Sequence, residues 1–237
     1  MKIKILYDKN TINENLYTGW GVSFLIGDRL LFDTGENGQW LIHNMKNLNM
    51  DLNQLEVVVI SHDHWDHAGG LWKILKRNGN LKVYACPNFG NDFKERVNGL
   101  GGELIENKNV AEIEQDIYIT GEIPGEYAGH FMPEQSLIVK TKNGITVITG
   151  CSHPGIVKIL EKVKEKFPQE NLYSVFGGFH LKDNSKSDII NVVKKFIEMK
   201  VEKAEPTHCS GRETEEIFKK EYGENFITVK VGETINV

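Results

Sequence analysis

Apolar runs of strand length alternate along this chain with stretches that repeat at helical spacing. Residues 2–7, 21–26, 29–32, 56–60 and 81–85 read as strands, short and rich in β-branched side chains. Residues 137–140 and 145–149 are two more, joined by Thr141-Lys142-Asn143-Gly144, and Asn-Gly is a strong signal for a tight hairpin turn. Further strands fit residues 172–176, 203–206 and 226–231. Ile156, Ile159, Leu160, Val163 and Phe167 fall on one 3.6-period face, opposite Lys158, Glu161, Lys162 and Glu165. Ile189, Val192, Val193, Phe196 and Met199 make a second such face, and Trp40, Leu41 and Met45 a third that carries His43 as a structural residue. These stripes are core packing. Ser210 and Glu213 have capping-box spacing and predict another helix through Phe218. Single helices between strands predict an α/β protein with two sheets back to back, each covered by helices, in one domain spanning residues 1–237.

The chemistry gathers where strands end. After Val57-Val58-Val59-Ile60 comes Ser61-His62-Asp63-His64-Trp65-Asp66-His67-Ala68-Gly69-Gly70. Side chains at i and i+2 share a face of an extended chain, so His62 and His64 can chelate one ion. Asp66 and His67 follow as the chain turns and can point at a second. Imidazole with carboxylate suits zinc, manganese or iron(II). His153, His180 and His208 also follow predicted strands, in glycine-bearing loops that allow close backbone approach. His153 and His208 are candidate ligands; His180 is a ligand, an outer partner or a substrate contact. His130 follows Gly129 in a loop that could line a cleft. Asp33, in Leu31-Phe32-Asp33-Thr34-Gly35, ends a strand with a carboxylate suited to orienting a ligand imidazole.

Composition adds limits. A net charge of -5 argues against non-specific binding to nucleic acid or an anionic membrane. No apolar run approaches the roughly 20 residues that span a bilayer, and the N-terminus lacks a secretory apolar segment. The three cysteines, Cys86, Cys151 and Cys209, form no C-x-x-C pair, and their odd number disfavours a disulfide framework. A cytoplasmic protein is expected.

Phe32-Asp33-Thr34-Gly35, the His62–His67 cluster, His153 and His208 resemble, in chain order, the motifs of the metallo-β-lactamase superfamily. That resemblance implies a four-layer αβ/βα sandwich, two mixed sheets face to face with helices outside. It implies His62, His64 and His153 on one divalent ion, and Asp66, His67 and His208 on another. Zinc is the first expectation, with manganese, iron or magnesium as alternatives. Superfamily members usually carry a bridging aspartate in a Gly-Asp pair; here the corresponding pair is Gly150-Cys151, so a softer thiolate stands where the bridge would be. Gly150-Cys151-Ser152-His153-Pro154-Gly155-Ile156, Gly177-Gly178-Phe179-His180-Leu181, Pro206-Thr207-His208-Cys209-Ser210-Gly211 and Glu134-Gln135-Ser136-Leu137 resemble a narrower group. It is named for 7,8-dihydropterin-6-methyl-4-(β-D-ribofuranosyl)aminobenzene-5'-phosphate synthase.

Three readings follow. The first is metal-dependent hydrolysis of a small anionic ester, phosphoester, thioester or lactone, with Asp66, Asp33 and His180 in catalysis. Ser210, Gly211, Arg212 and His180 would meet the anion. The second is the transfer reaction of the narrower group, joining a dihydropterin methyl pyrophosphate to a ribofuranosylaminobenzene phosphate. The third is a non-catalytic, metal-dependent ligand-binding module. The substrate is expected to be a small molecule, a pterin or phosphate ester among the options, and the sequence leaves the oligomeric state open.

Overall fold

The strands of the first hundred residues form one mixed sheet whose inner members are buried on both faces. A computed structural model describes residues 1–237, which divide into two units, residues 1–108 with 229–236 and residues 109–228 with 237. In the first unit β1 (Lys2–Tyr7), β2 (Ser23–Ile26), β3 (Leu30–Phe32), β4 (Val57–Val59), β5 (Lys82–Ala85) and β6 (Glu103–Glu106) lie side by side in chain order. A last strand, Thr234–Asn236, pairs antiparallel with β1 at the other edge. Strands β1 to β3 run antiparallel, and β3 to β6 run parallel. The β2, β3 and β4 segments are buried at every position, which explains their unbroken apolar runs.

Helix α1 (Gly38–Asn47) opens on Asn37, whose side chain accepts hydrogen bonds from the Gln39 and Trp40 N–H groups. It buries Leu41 and Met45 against Leu25, Leu31 and Val58. Helices α2 (Trp65–Ala68), α3 (Leu71–Leu75) and α4 (Asn91–Gly99) complete this unit.

The second unit holds β7 (Ala111–Glu114), β8 (Ile117–Ile119), a small hairpin β9 (Glu126–Tyr127) and β10 (His130–Phe131), then β11 (Leu137–Thr141), β12 (Gly144–Thr149), β13 (Leu172–Gly178) and β14 (Lys203–Thr207). Its main sheet has the order β14-β13-β12-β11-β8-β7. The predicted hairpin forms, with Thr141 paired to Gly144, and Gly144 takes a φ of 122° that favours glycine. Because β12, β13 and β14 run parallel, their C-terminal loops emerge on the same side of the sheet. Helices α5 (Ile156–Lys166), α6 (Lys186–Glu198) and α7 (Arg212–Tyr222) bury the apolar stripes seen in the sequence. The chain is thus an α/β protein with two mixed sheets and helices. No helix is long and apolar enough to cross a membrane.

Two expectations fail locally. Residues 226–231 form no strand: only isolated bridges occur, Ala204 with Phe226 and Thr11 with Val231. The pairing falls instead to Thr234–Asn236, beyond the turn at Gly232 (φ 97°). The capping box also does not form. Helix α7 follows Gly211 (φ 84°) with no side-chain cap, because Ser210 Oγ donates to the Thr207 carbonyl (2.6 Å) and accepts from Phe179 N–H (2.9 Å).

Candidate metal centre

In the first unit the cluster sits where β4 ends beside β3. Gly21 lies against the Asp66 carbonyl so closely that any Cβ there would collide, which holds the loop in place. His62 and His67 are fully buried, Asp66 is buried, and His64 is half-buried. The His62 ring centre is 4.8 Å from that of His64 and 4.1 Å from that of His67. Asp66 Oδ2 is 3.4 Å from His67 Nε2. These four side chains therefore converge within one unit, on one short stretch of chain.

Asp33 organises them from behind. It sits at φ 55°, fully buried, at the end of β3. Its Oδ1 accepts from Ser61 N–H (2.7 Å), and its Oδ2 accepts from Ser61 Oγ (2.7 Å) and pairs with His67 Nδ1 (2.7 Å). Ser61 Oγ also lies 2.9 Å from His62 Nδ1. Both imidazoles are thereby held through Nδ1, which makes Nε2 the nitrogen that would meet a metal. Burial lowers the His67 pKa, but the Asp33 and Asp66 carboxylates outweigh it and push it up to about 10. Burial raises the Asp33 carboxyl above its ordinary value despite His67 and Ser61.

A ligating His67 must release a proton, so metal affinity is expected to rise with pH below that value. Asp33→Asn is expected to weaken metal affinity by roughly 10- to 100-fold, the usual cost of losing an outer carboxylate. Chelator competition across pH measures both; an unchanged affinity in Asp33→Asn would show that His67 does not ligate.

In the second unit, Cys151, Ser152 and His153 follow β12. One donor atom from each of Cys151, His153 and His180 lies within 4.8 Å of the others. The His153 and His180 ring centres are 4.7 Å apart, with Tyr127 packed against both at 5.2 and 5.4 Å. Glu134, just before β11, holds this loop: Oε1 accepts from Cys151 and Ser152 N–H (2.9 and 2.8 Å), and Oε2 accepts from His153 N–H (2.8 Å). Glu134 Oε2 is also 3.1 Å from His153 Nδ1. Burial alone would raise the Glu134 carboxyl, yet His153 and the backbone N–H groups outweigh it and hold it below its ordinary value.

Cys209 and His180 form a second polar pair here. Burial opposes ionisation of Cys209, but Cys151, His180 and His208 outweigh it and hold the thiol well below its ordinary value. The hydrogen bond to Cys209 raises His180 in turn, against burial. Buried His180 Nδ1 has no hydrogen-bond partner in the protein. His208 is buried in the turn after β14. Ser152, His180 and His208 all take positive φ (66°, 52° and 51°), so non-glycine backbone strain concentrates on these loops.

The remaining candidates sit apart from this chemistry. Ser210 is fully buried with its hydroxyl bonded twice to backbone. The Arg212 side chain is 91% exposed and pairs with Glu216 at 2.8 Å, a solvent-facing helix pair. Gly211 caps α7. His130 is exposed in the β9–β10 hairpin, and His43 Nε2 contacts the Asn15 carbonyl (3.0 Å). Glu134 is the residue that sequence reasoning passed over as a site element.

Residues 21–208 match the model of the metallo-beta-lactamase superfamily. The chain belongs to that superfamily. It is 28% identical to a Methanocaldococcus jannaschii protein named 7,8-dihydropterin-6-methyl-4-(beta-D-ribofuranosyl)-aminobenzene-5'-phosphate synthase, over 94% of this chain and 92% of that one. The crystal structure of Tm1679, a metal-dependent hydrolase of the beta-lactamase superfamily, matches with a TM-score of 0.84 and 32% identity, over 100% of this chain and 99% of the other. YhfI from Bacillus subtilis, a metallo-beta-lactamase fold protein, shares the fold with a TM-score of 0.69 at 14% identity, over 99% of each chain. Superfamily membership implies divalent metal binding, and the donor set fits it. In the first unit, imidazoles anchored through Nδ1 by Asp33 and Ser61, together with Asp66, are what such an ion requires.

Proposed function

We propose that this protein is a metal-dependent hydrolase of small anionic esters, phosphoesters, thioesters or lactones. The anchoring of His62 and His67 through Nδ1 carries the reading, because it fixes tautomers for which a packing histidine has no use. By the superfamily's motif order, His62, His64 and His153 serve one ion, and Asp66, His67 and His208 the other. Cys151 offers a thiolate where relatives carry a bridging carboxylate. Imidazole, carboxylate and thiolate together favour zinc. When bound, such an ion supplies Lewis acidity and lowers the pKa of water from 15.7 to about 7.

The chain's own groups do the rest. The Asp66 carboxylate orients the attacking water and takes its proton. Asp33 and Glu134 keep the imidazoles aimed. His180 presents the unpartnered Nδ1, and its raised pKa suits it to donate a proton to the departing oxygen or sulfur.

A second reading has a specific observation in its favour, the near full-length similarity to the synthase from M. jannaschii. Here the amine of a ribofuranosylaminobenzene phosphate attacks the methylene carbon of a dihydropterin methyl pyrophosphate, the C–O bond breaks, pyrophosphate is released with a proton lost from the amine, and no water attacks.

Elemental analysis followed by turnover in ¹⁸O-labelled water tests both. One or two divalent ions per chain and label in the product support hydrolysis. Metal binding with an unlabelled product joined at the pterin methylene supports transfer. Absence of metal after reconstitution with zinc, manganese and iron(II) overturns the reading.

A further inference from the structure

The groups that the sequence offered to a substrate anion do not meet one. Ser210 is buried with its hydroxyl bonded to backbone, and Arg212 faces solvent in its pair with Glu216. Another element of the second unit stands beside His153 and His180, the hairpin β9–β10. Its two tip residues, Ala128 and Gly129, both take positive φ (51° and 78°), the signature of a type I′ turn. Tyr127 pairs across the hairpin with His130, and Glu126 with Phe131. Residues directly opposite one another share a face of a two-stranded ribbon, while neighbours along a strand alternate. One face therefore carries Tyr127 and His130, and the other carries Glu126 and Phe131.

The two faces are not equivalent. The Tyr127 ring packs against His153 and His180 at 5.2 and 5.4 Å, so its face of the hairpin looks onto the loops that bear these imidazoles. The ring is still 42% exposed. His130 stands on that same face, clear of the candidate ligands themselves, and its exposed ring has no hydrogen-bond or ion-pair partner in the protein. Glu126, whose carboxylate would repel an anion, points the other way. The hairpin is also held in place. Ile123 and Glu134 exchange both backbone hydrogen bonds across its stem (2.9 and 3.1 Å), and the Glu134 carboxylate grips the Cys151–His153 loop. Lys158 and Lys162 of α5 donate to the Pro124 and Glu122 carbonyls at 3.0 Å each. A Cβ on Gly125 would fall 2.9 Å from the His153 carbonyl carbon, so stem and loop lie in direct contact. The hairpin and the His153 loop thus form one rigid piece, and the position of Tyr127 and His130 is set before a ligand arrives.

A half-covered aromatic ring beside an unpaired imidazole suits an apolar body that ends in an oxyanion. We propose that this face of the hairpin seats the anionic group of the substrate. His130 donates to a carboxylate or phosphate oxygen, and the Tyr127 ring packs against the carbon framework that leads from it toward His153 and His180. The assignment rests on the hydrolase reading and gives its substrate anion a place. Both residues act here in specificity, and neither is asked to take part in bond breaking.

The test is calorimetric titration of the metal-loaded protein with benzylphosphonate and with phenylacetate, two oxyanions on the same body. The tighter binder tells phosphate from carboxylate. His130→Ala is expected to weaken that binding about tenfold, the worth of one hydrogen bond to a charged group. His130→Lys restores a cationic donor and is expected to stay within about threefold of the parent. Tyr127→Leu keeps apolar bulk and is expected to lose about threefold, the aromatic part of the contact. A structural role for His130 would move the thermal midpoint, whereas both His130 variants should keep the midpoint and the metal content of the parent. Unchanged affinity in His130→Ala, because the oxyanion sits on the metals alone, would overturn the assignment. So would equal losses in His130→Ala and His130→Lys, or an absence of binding up to about 10 mM. The same titrations on chelator-treated protein are expected to preserve the ratio between parent and His130→Ala, since the hairpin supplies no metal ligand. Failure to hold metal would therefore strike the hydrolase reading, and loss of that ratio with metal bound would strike the hairpin alone.

Discussion

His64→Ala is expected to strip the protein of tightly held metal and to lower turnover by more than about 100-fold, beyond what loss of an outer partner costs. His64 is the better choice for this experiment than His62, because His62 is fully buried and its removal would leave a hole. The half-buried His64 precedes α2 with extended backbone (φ −64°, ψ 149°), and its side chain makes no cap hydrogen bond. What the helix needs from this position is its carbonyl, which accepts from His67 and Ala68 N–H at 3.0 and 2.9 Å. Alanine keeps that carbonyl. The thermal midpoint of the metal-free variant should therefore match that of the metal-free parent, while elemental analysis after dialysis shows the loss. Full metal retention in His64→Ala would remove this residue from the ligand set.

Glu134→Gln is expected to cost stability as well as metal. The carboxylate takes three backbone N–H groups and the His153 ring in a site shut off from water. A glutamine supplies one oxygen for those donors and turns its own N–H₂ toward the others, leaving buried donors facing each other. Charge-assisted hydrogen bonds of this kind are worth about 1.5–3 kcal/mol each, so a net loss of roughly 2–4 kcal/mol is expected. For a chain of this length that lowers the thermal midpoint by roughly 5–12 °C. The pH dependence has a definite sign. The Glu134 pKa is lowered on folding, so its contribution is present above the unfolded carboxylate value near 4.3 and disappears as pH falls through the folded value. Parent and variant should thus converge in stability at low pH. A variant as stable as the parent at pH 7 would mean that the Cys151–His153 loop is held by something other than this carboxylate.

Much of this architecture was visible in the chain because burial and periodicity coincide. Strands β2, β3, β4 and β12 are buried at every position, so their apolar runs stand out, and α5 and α6 show clean stripes because each buries one face. Strands β6 and β7 were missed because they are short, carry glutamates at both ends or alternate positions, and are partly exposed at sheet edges. Helix α4 was passed over for a related reason: only Phe93 and Val97 among its residues are buried. At the metal centre, the His62–His67 cluster was legible because all its donors lie within six residues. Glu134 was not, since its partners are backbone N–H groups seventeen to nineteen residues away, and a contact of that kind leaves no spacing to recognise. Ser210 misled because a serine three residues before a glutamate is a good cap in isolation, whereas here the hydroxyl is claimed by Phe179 and Thr207.

The pairing of Thr234–Asn236 with β1 sets an order on how the polypeptide can mature. β1 keeps one edge open until Thr234–Asn236 arrives more than two hundred residues later. The second unit, built from residues 109–228, has all its strands by then. During synthesis, β1 is thus an open template for stray strand addition, the hazard that edge strands carry in general. Its alternating Lys2 and Lys4 place two like charges along that edge strand, and such charges discourage another chain from docking while the rightful partner is still being made.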